Sequence, residues 1–136
     1  MISYLKLRLD VWPCDVVVME LNYNKKLLSY TVDIEDPMFL DTKLEGHYKG
    51  NAEDWLDDLD GLDLDAWKDI YNGPKSGDVA WKLDYQERGM KNPRHIQGKD
   101  AFPDNFGKFI ALLSLLAPDA AEDLAKWQFE TKIAEE

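Results

Sequence analysis

Leu5-Lys6-Leu7-Arg8-Leu9-Asp10-Val11 alternates apolar and polar side chains without a break. A period of two puts the three leucines and Val11 on one face and the charges on the other, which predicts a half-buried strand. Pro13 ends it. Asp15 to Leu21, dense in β-branched residues, predicts a second strand and Leu27 to Ile34 a third. Asn22-Tyr23-Asn24-Lys25-Lys26 lies between them, with turn-favouring asparagines. The three form an antiparallel meander. Further on, Val79, Trp81, Leu83 and Tyr85 alternate with Ala80, Lys82, Asp84 and Gln86, giving a strand with a strongly aromatic face. Gly89 to Pro93 reads as a hairpin loop. Arg94 to Gly98 is then a shorter, more polar return strand suited to a sheet edge, where charges discourage further pairing.

Helical spacing fills most of the remainder. Asn51 stands three residues before Asp54 as an N-cap, Trp55, Leu56 and Leu59 share one face, and Gly61 is the stop. Asp63 caps a second short helix burying Leu64, Trp67 and Ile70 or Tyr71, which ends at Asn72-Gly73-Pro74. Phe106, Phe109, Ile110 and Leu113 follow the i, i+3, i+4, i+7 rule behind Pro103, and Leu112, Leu115 and Leu116 widen the stripe. Pro118 opens a last helix with Leu124, Trp127, Phe129 and Ile133 on its apolar side. Glu35 to Gly50 reads as irregular. The predicted fold is α+β: an antiparallel sheet of about five strands, a three-stranded N-terminal meander plus a C-terminal hairpin, with helices packed on one face.

At 136 residues, 45% hydrophobic and with five Trp, six Tyr and five Phe, the chain is expected to close around one core as a single domain, 1–136. One cysteine, Cys14, allows no internal disulfide, and a reducing cytoplasmic setting fits best. The N-terminus alternates like a strand and lacks the apolar run of a signal peptide. The longest apolar stretch, Phe109 to Ala117, is too short to span a bilayer.

Charge carries the functional information. The net charge is −11, and the 37 residues from Asp33 to Asp69 hold thirteen acids against three lysines, so that −10 of the total sits there. Such a chain repels phosphates and anionic lipids, which argues against direct nucleic-acid or membrane binding. Within the segment, Glu53, Asp54, Asp57, Asp58, Asp60, Asp63, Asp65 and Asp69 accompany only Lys68. These eight acids are either a solvated helical face or a docking surface for a basic partner. Calcium fits poorly: Asp58, Asp60 and Gly61 match part of an EF-hand loop, but its two end positions fall on Leu56 and Trp67.

Catalytic signals are weak. His47 and His95 lack zinc-ligand spacing, no serine lies in a nucleophile elbow, and Cys14 has no nearby base. Gly73-Pro74-Lys75-Ser76-Gly77 lacks the full spacing of a phosphate loop. No catalytic residue, metal or cofactor is assigned. Lys91, Arg94, His95 and Lys99 form a mixed basic stretch, read either as an exposed hairpin or as the counterpart of the acidic segment, within the chain or in a second copy. Trp55, Trp67, Trp81 and Trp127 are in phase with apolar stripes and read as core, while Trp12 is unexplained.

Trp81-Lys82-Leu83-Asp84-Tyr85 followed by Gly98-Lys99-Asp100-Ala101-Phe102-Pro103-Asp104-Asn105-Phe106 resembles small uncharacterised bacterial proteins in which a W-x-L-x-Y strand precedes a G-x-x-A-[FY]-P-x-N-[FW] opening of an apolar helix. The resemblance covers about 35 residues, implies a hairpin followed by a helix, and implies no activity. In that arrangement Phe102 acts as a staple, Pro103 starts the helix and Asn105 satisfies an N–H of its first turn.

The reading that follows is a non-enzymatic cytoplasmic protein that binds a basic groove of a nuclease, a nucleic-acid-guided defence effector or a toxin, in the manner of anti-CRISPR or immunity proteins. Its contact surface is the eight acids with Trp55, helped by apolar groups such as Met38, Phe39 and Tyr71. The alternatives are a small enzyme or ligand-binding domain with a cleft between sheet and helices, and a self-associating protein.

Overall fold

The structure is a computed structural model and describes residues 2–11, 16–35, 42–73, 79–87, 89–99 and 101–120. In chain order these form β1 (Ile2–Val11), β2 (Val16–Asn24), β3 (Leu27–Glu35), β4 (Thr42–His47), α1 (Ala52–Asp60), β5 (Ile70–Asn72), β6 (Val79–Glu87), β7 (Arg94–Lys99) and α2 (Phe106–Leu116). One 3₁₀ turn, Leu64–Ala66, precedes β5, and another, Pro118–Ala120, follows α2. The α+β class holds. The strands join in one sheet of order β4-β3-β2-β1-β6-β7-β5, antiparallel throughout except for the parallel pair β5 and β7.

The alternation at Leu5, Leu7 and Leu9 does what its period requires. In register these residues face Leu21, Met19 and Val17 of β2 on one side and Tyr85, Leu83 and Trp81 of β6 on the other, and all nine side chains are buried. They make a continuous apolar face on which the helices lie: Phe106 packs on Trp81 with ring centroids 4.9 Å apart, and Phe109, Ile110 and Leu113 of α2 are fully buried. The opposite face carries Lys6, Arg8, Glu20, Lys82, Asp84 and His95, with no described helix across it.

Seven strands replace the expected five or so, and each difference has a cause. β4 was hidden in the segment read as irregular because Leu44 is its one aliphatic residue; its pairing with β3 makes it a strand. The expected second helix is a single 3₁₀ turn followed by β5, since the edge of β7 takes over the backbone: the Gln97 N–H donates to Asp69 O and the Gly73 N–H to Lys99 O. Asp63 caps nothing. It sits in the left-handed region (φ 55°) without a side-chain cap bond. With β5 beside it, β7 is an interior strand and not an edge. Trp12 and Cys14, and the last helix expected after Pro118 with Leu124, Trp127, Phe129 and Ile133, lie outside the described residues.

The β2–β3 connection is tighter than its sequence suggests. β2 runs on through Asn24, leaving Lys25-Lys26 as a two-residue loop with φ of 51° and 65°. Positive φ at both positions belongs to a type I′ turn, which Asn-Gly fills without the strain a lysine carries. The double change Lys25→Asn, Lys26→Gly is expected to raise unfolding free energy by about 1 kcal/mol in urea titration.

Candidate functional site

The acidic segment starts from a well-formed cap. The Asn51 side chain accepts a hydrogen bond from the Asp54 N–H at 3.0 Å, which opens α1. Trp55, Leu56 and Leu59 turn inward and are at most 2% exposed, and the Trp55 indole N–H donates to Leu112 O of α2 at 2.9 Å. Helical geometry then points Glu53, Asp54, Asp57, Asp58 and Asp60 to solvent, and Asp63 is exposed just beyond them. Trp55 therefore belongs to the core and leaves the contact set assigned to it from sequence.

Two further acids, exposed like the others, are tied to side chains of the sheet. The Tyr85 hydroxyl donates to Asp65 Oδ1 at 2.7 Å, and Asp69 Oδ1 lies 3.1 Å from Arg94 Nη2. Arg94, paired in register with Tyr85, sits on the helix-covered face and also donates to Leu64 O at 2.8 Å, to Trp67 O and to the Tyr85 hydroxyl at 3.2 Å. Burial, and then the bond to Asp65, push the Tyr85 hydroxyl up to about 12, against the opposing pull of the Arg94 guanidinium. Asn105 completes the attachment: its Oδ1 accepts the Trp67 indole N–H at 2.9 Å and its Nδ2 donates to Leu62 O at 2.7 Å. Asn105 makes no side-chain cap bond to α2, which begins at Phe106 and so later than Pro103 suggested.

The segment divides accordingly. Leu62 to Asp69 is fastened to the sheet and to Asn105, with Asp65 and Asp69 exposed but bonded to Tyr85 and Arg94, while Glu53, Asp54, Asp57, Asp58, Asp60 and Asp63 are displayed on α1 and just beyond it. The chain matches no family model, no curated protein and no solved structure.

Electrostatically, α1 is arranged against its own stability. Glu53 and Asp54 in the first turn suit the positive end of the helix dipole, but Asp57, Asp58 and Asp60 load the negative end, where no basic residue stands. Glu53 and Asp57, Asp54 and Asp58, and Asp57 and Asp60 are like charges at repelling spacings. Among the described residues, no group of three acid, histidine or cysteine side chains converges to hold a metal ion.

The basic stretch does not form one surface. Arg94 is used on the helix-covered face, His95 and Lys99 point from the opposite face, and His95 Nδ1 contacts Asp84 Oδ1. An open cleft of about 710 Å³ lies there, lined in part by Lys82, Asp84, His95 and Gln97. His47 is exposed on β4, and no described helix is long and apolar enough to cross a membrane. Tyr71 is half-buried, with its ring 5.9 Å from Trp81 and its hydroxyl accepting from the Lys68 N–H at 2.9 Å. Met38 and Phe39 lie outside the described residues. Sequence reasoning missed the parts played by Arg94 and Asn105. A lone arginine opening a strand and an asparagine before a helix were the available signals, but neither names its acceptor.

Proposed function

We propose that the chain is an acidic binding protein whose displayed carboxylates occupy a basic groove on a partner protein, as an inhibitor or immunity protein does. The partner's class is one whose groove normally receives phosphates: a nuclease, a nucleic-acid-guided effector or a toxin. One observation carries the reading. Five carboxylates cover the solvent side of α1, three of them at the end where the helix dipole opposes them, while the apolar side is wholly engaged in the core. A helix selected for stability alone would place cations in its last turn. The fastening of Leu62–Asp69 supports the same reading, because it holds α1 in a fixed pose and spares the partner the cost of ordering it.

The test compares the wild-type chain with the variant Asp57→Lys, Asp58→Lys, Asp60→Lys, Asp63→Asn, each immobilised and exposed to lysate of the native host. Asparagine is used at 63 because that position is left-handed. A protein retained by the wild type should associate roughly ten-fold or more slowly with the variant and be released as salt rises. Retention that ignores both salt and the four substitutions defeats the proposal.

A further inference from the structure

β4 closes one side of the sheet, and no described residue pairs with its outer edge. The strand runs six residues without proline and without a break in its register to β3, and its exposed charges, Lys43 and Glu45, are of opposite sign, so they discourage pairing only with a partner that does not match them. At the other side of the sheet, β5 offers three residues. The direction of the free groups on β4 follows from one bond. The Tyr48 N–H donates to Leu28 O at 2.8 Å, and hydrogen-bonding pairs alternate along an antiparallel ladder. Thr42, Leu44 and Gly46 thus turn their backbone groups toward β3, while Lys43, Glu45 and His47 turn theirs outward.

We propose that this edge pairs with the same edge of a second copy of the chain, antiparallel about a two-fold axis through Leu44, to give one continuous sheet. In an antiparallel pair, outward residues meet outward residues. With Leu44 opposite the partner's Leu44, Lys43 meets the partner's Glu45 and Glu45 meets the partner's Lys43. Two hydrogen-bonded pairs and two opposite-charge pairs form together. Slipping by two residues sets Glu45 against the partner's Glu45 in one direction and Lys43 against the partner's Lys43 in the other, so charge selects the central register. Leu44, half-buried on the helix-covered face, gains an apolar neighbour. The strand is self-complementary, as a two-fold interface requires. The dimer stands whether or not the acidic helix has a partner of its own.

Sedimentation of the full chain at about 0.15 M salt, where repulsion between two chains of −11 is screened, reads the dimer at concentrations up to about 1 mM. Lys43→Glu and Glu45→Lys should each raise the dimer dissociation constant about ten-fold or more, because each creates two like-charge pairs. The double exchange Lys43→Glu, Glu45→Lys should restore it to within about three-fold, since opposite charges again face each other. Register is read by cysteine. With Cys14→Ser removing the native thiol, Leu44→Cys should oxidise to a linked dimer, as non-hydrogen-bonded partners lie about 4.5 Å apart at Cα. Thr42→Cys, which faces the partner's Gly46, should not. A monomer throughout the range, a dimer indifferent to both charge reversals, or Thr42→Cys linking as readily as Leu44→Cys would each overturn the proposal.

Discussion

Gly98→Ala is expected to cost about 3 kcal/mol of unfolding free energy, more than any surface change in the acidic helix. Gly98 of β7 faces Trp81 of β6, and the indole lies across the glycine: an added Cβ would come within 2.3 Å of Trp81 Nε1, 2.6 Å of its Cε2 and 2.8 Å of Ala101 O. Neither neighbour has room to retreat. The indole N–H donates to Ala101 O at 2.9 Å, Phe102 stacks on the ring at 13°, and Tyr71, Trp67 and Phe106 close the other directions at 5.9, 6.1 and 4.9 Å. The methyl group must either strain this cluster, at about 1–3 kcal/mol, or break the indole bond and leave a buried donor unpaired, at a similar cost. Urea unfolding followed by circular dichroism measures the loss. A value under 1 kcal/mol would mean the cluster yields. Trp81→Phe in the Gly98→Ala background supplies the second arm, because the smaller ring removes the clash. The two changes together should cost at least about 1 kcal/mol less than their sum.

Arg94→Ala should cost about 3 kcal/mol, and Arg94→Lys nearly as much. Its guanidinium gathers Leu64 O, Trp67 O, the Tyr85 hydroxyl and Asp69 Oδ1, and the two carbonyls end the stretch that follows the acidic helix. A lysine ammonium is a point donor and cannot span that fork. Most of the loss should come from the carbonyls and little from the ion pair, since the Asp69 side chain is 76% exposed against 21% for Arg94. Asp69→Ala is accordingly expected to cost less than about 1 kcal/mol. Equal losses for Arg94→Ala and Asp69→Ala in parallel urea titrations would show that the ion pair, and not the attachment of Leu64–Trp67, is what matters. Hydrogen exchange should further show Leu62–Asp69 losing protection in Arg94→Ala before the sheet does.

Both predictions concern the region where local patterns said least. The strands centred on Leu7, Met19, Val32 and Leu83 were legible because a buried face and a wet face impose a period of two, and α1 was legible because Asn51 and the Trp55, Leu56, Leu59 spacing each act within a turn. β4 and β5 were not. A six-residue strand with one aliphatic side chain has no period to read, and Leu64, Trp67 and Tyr71 satisfy helical spacing as well as they satisfy a turn followed by a strand. The pattern from Gly98 to Phe106 was visible, but its purpose was not. Gly98 makes room for an indole seventeen residues earlier, and Asn105 serves Trp67 and Leu62 across the fold instead of its own helix.

The sequence alone determined the class of fold and the concentration of charge, because strand alternation, helix capping and net charge depend on residues a few positions apart. Tertiary structure decided which of the eight acids, all of them exposed, gain a partner within the fold. Asp65 and Asp69 become acceptors only because Tyr85 and Arg94 arrive beside them from strands 20 and 25 residues away, and Trp55 turns inward only because α2 is there to receive it. Burial and pairing are properties of what lies opposite a side chain, and no local stretch of sequence contains its own opposite.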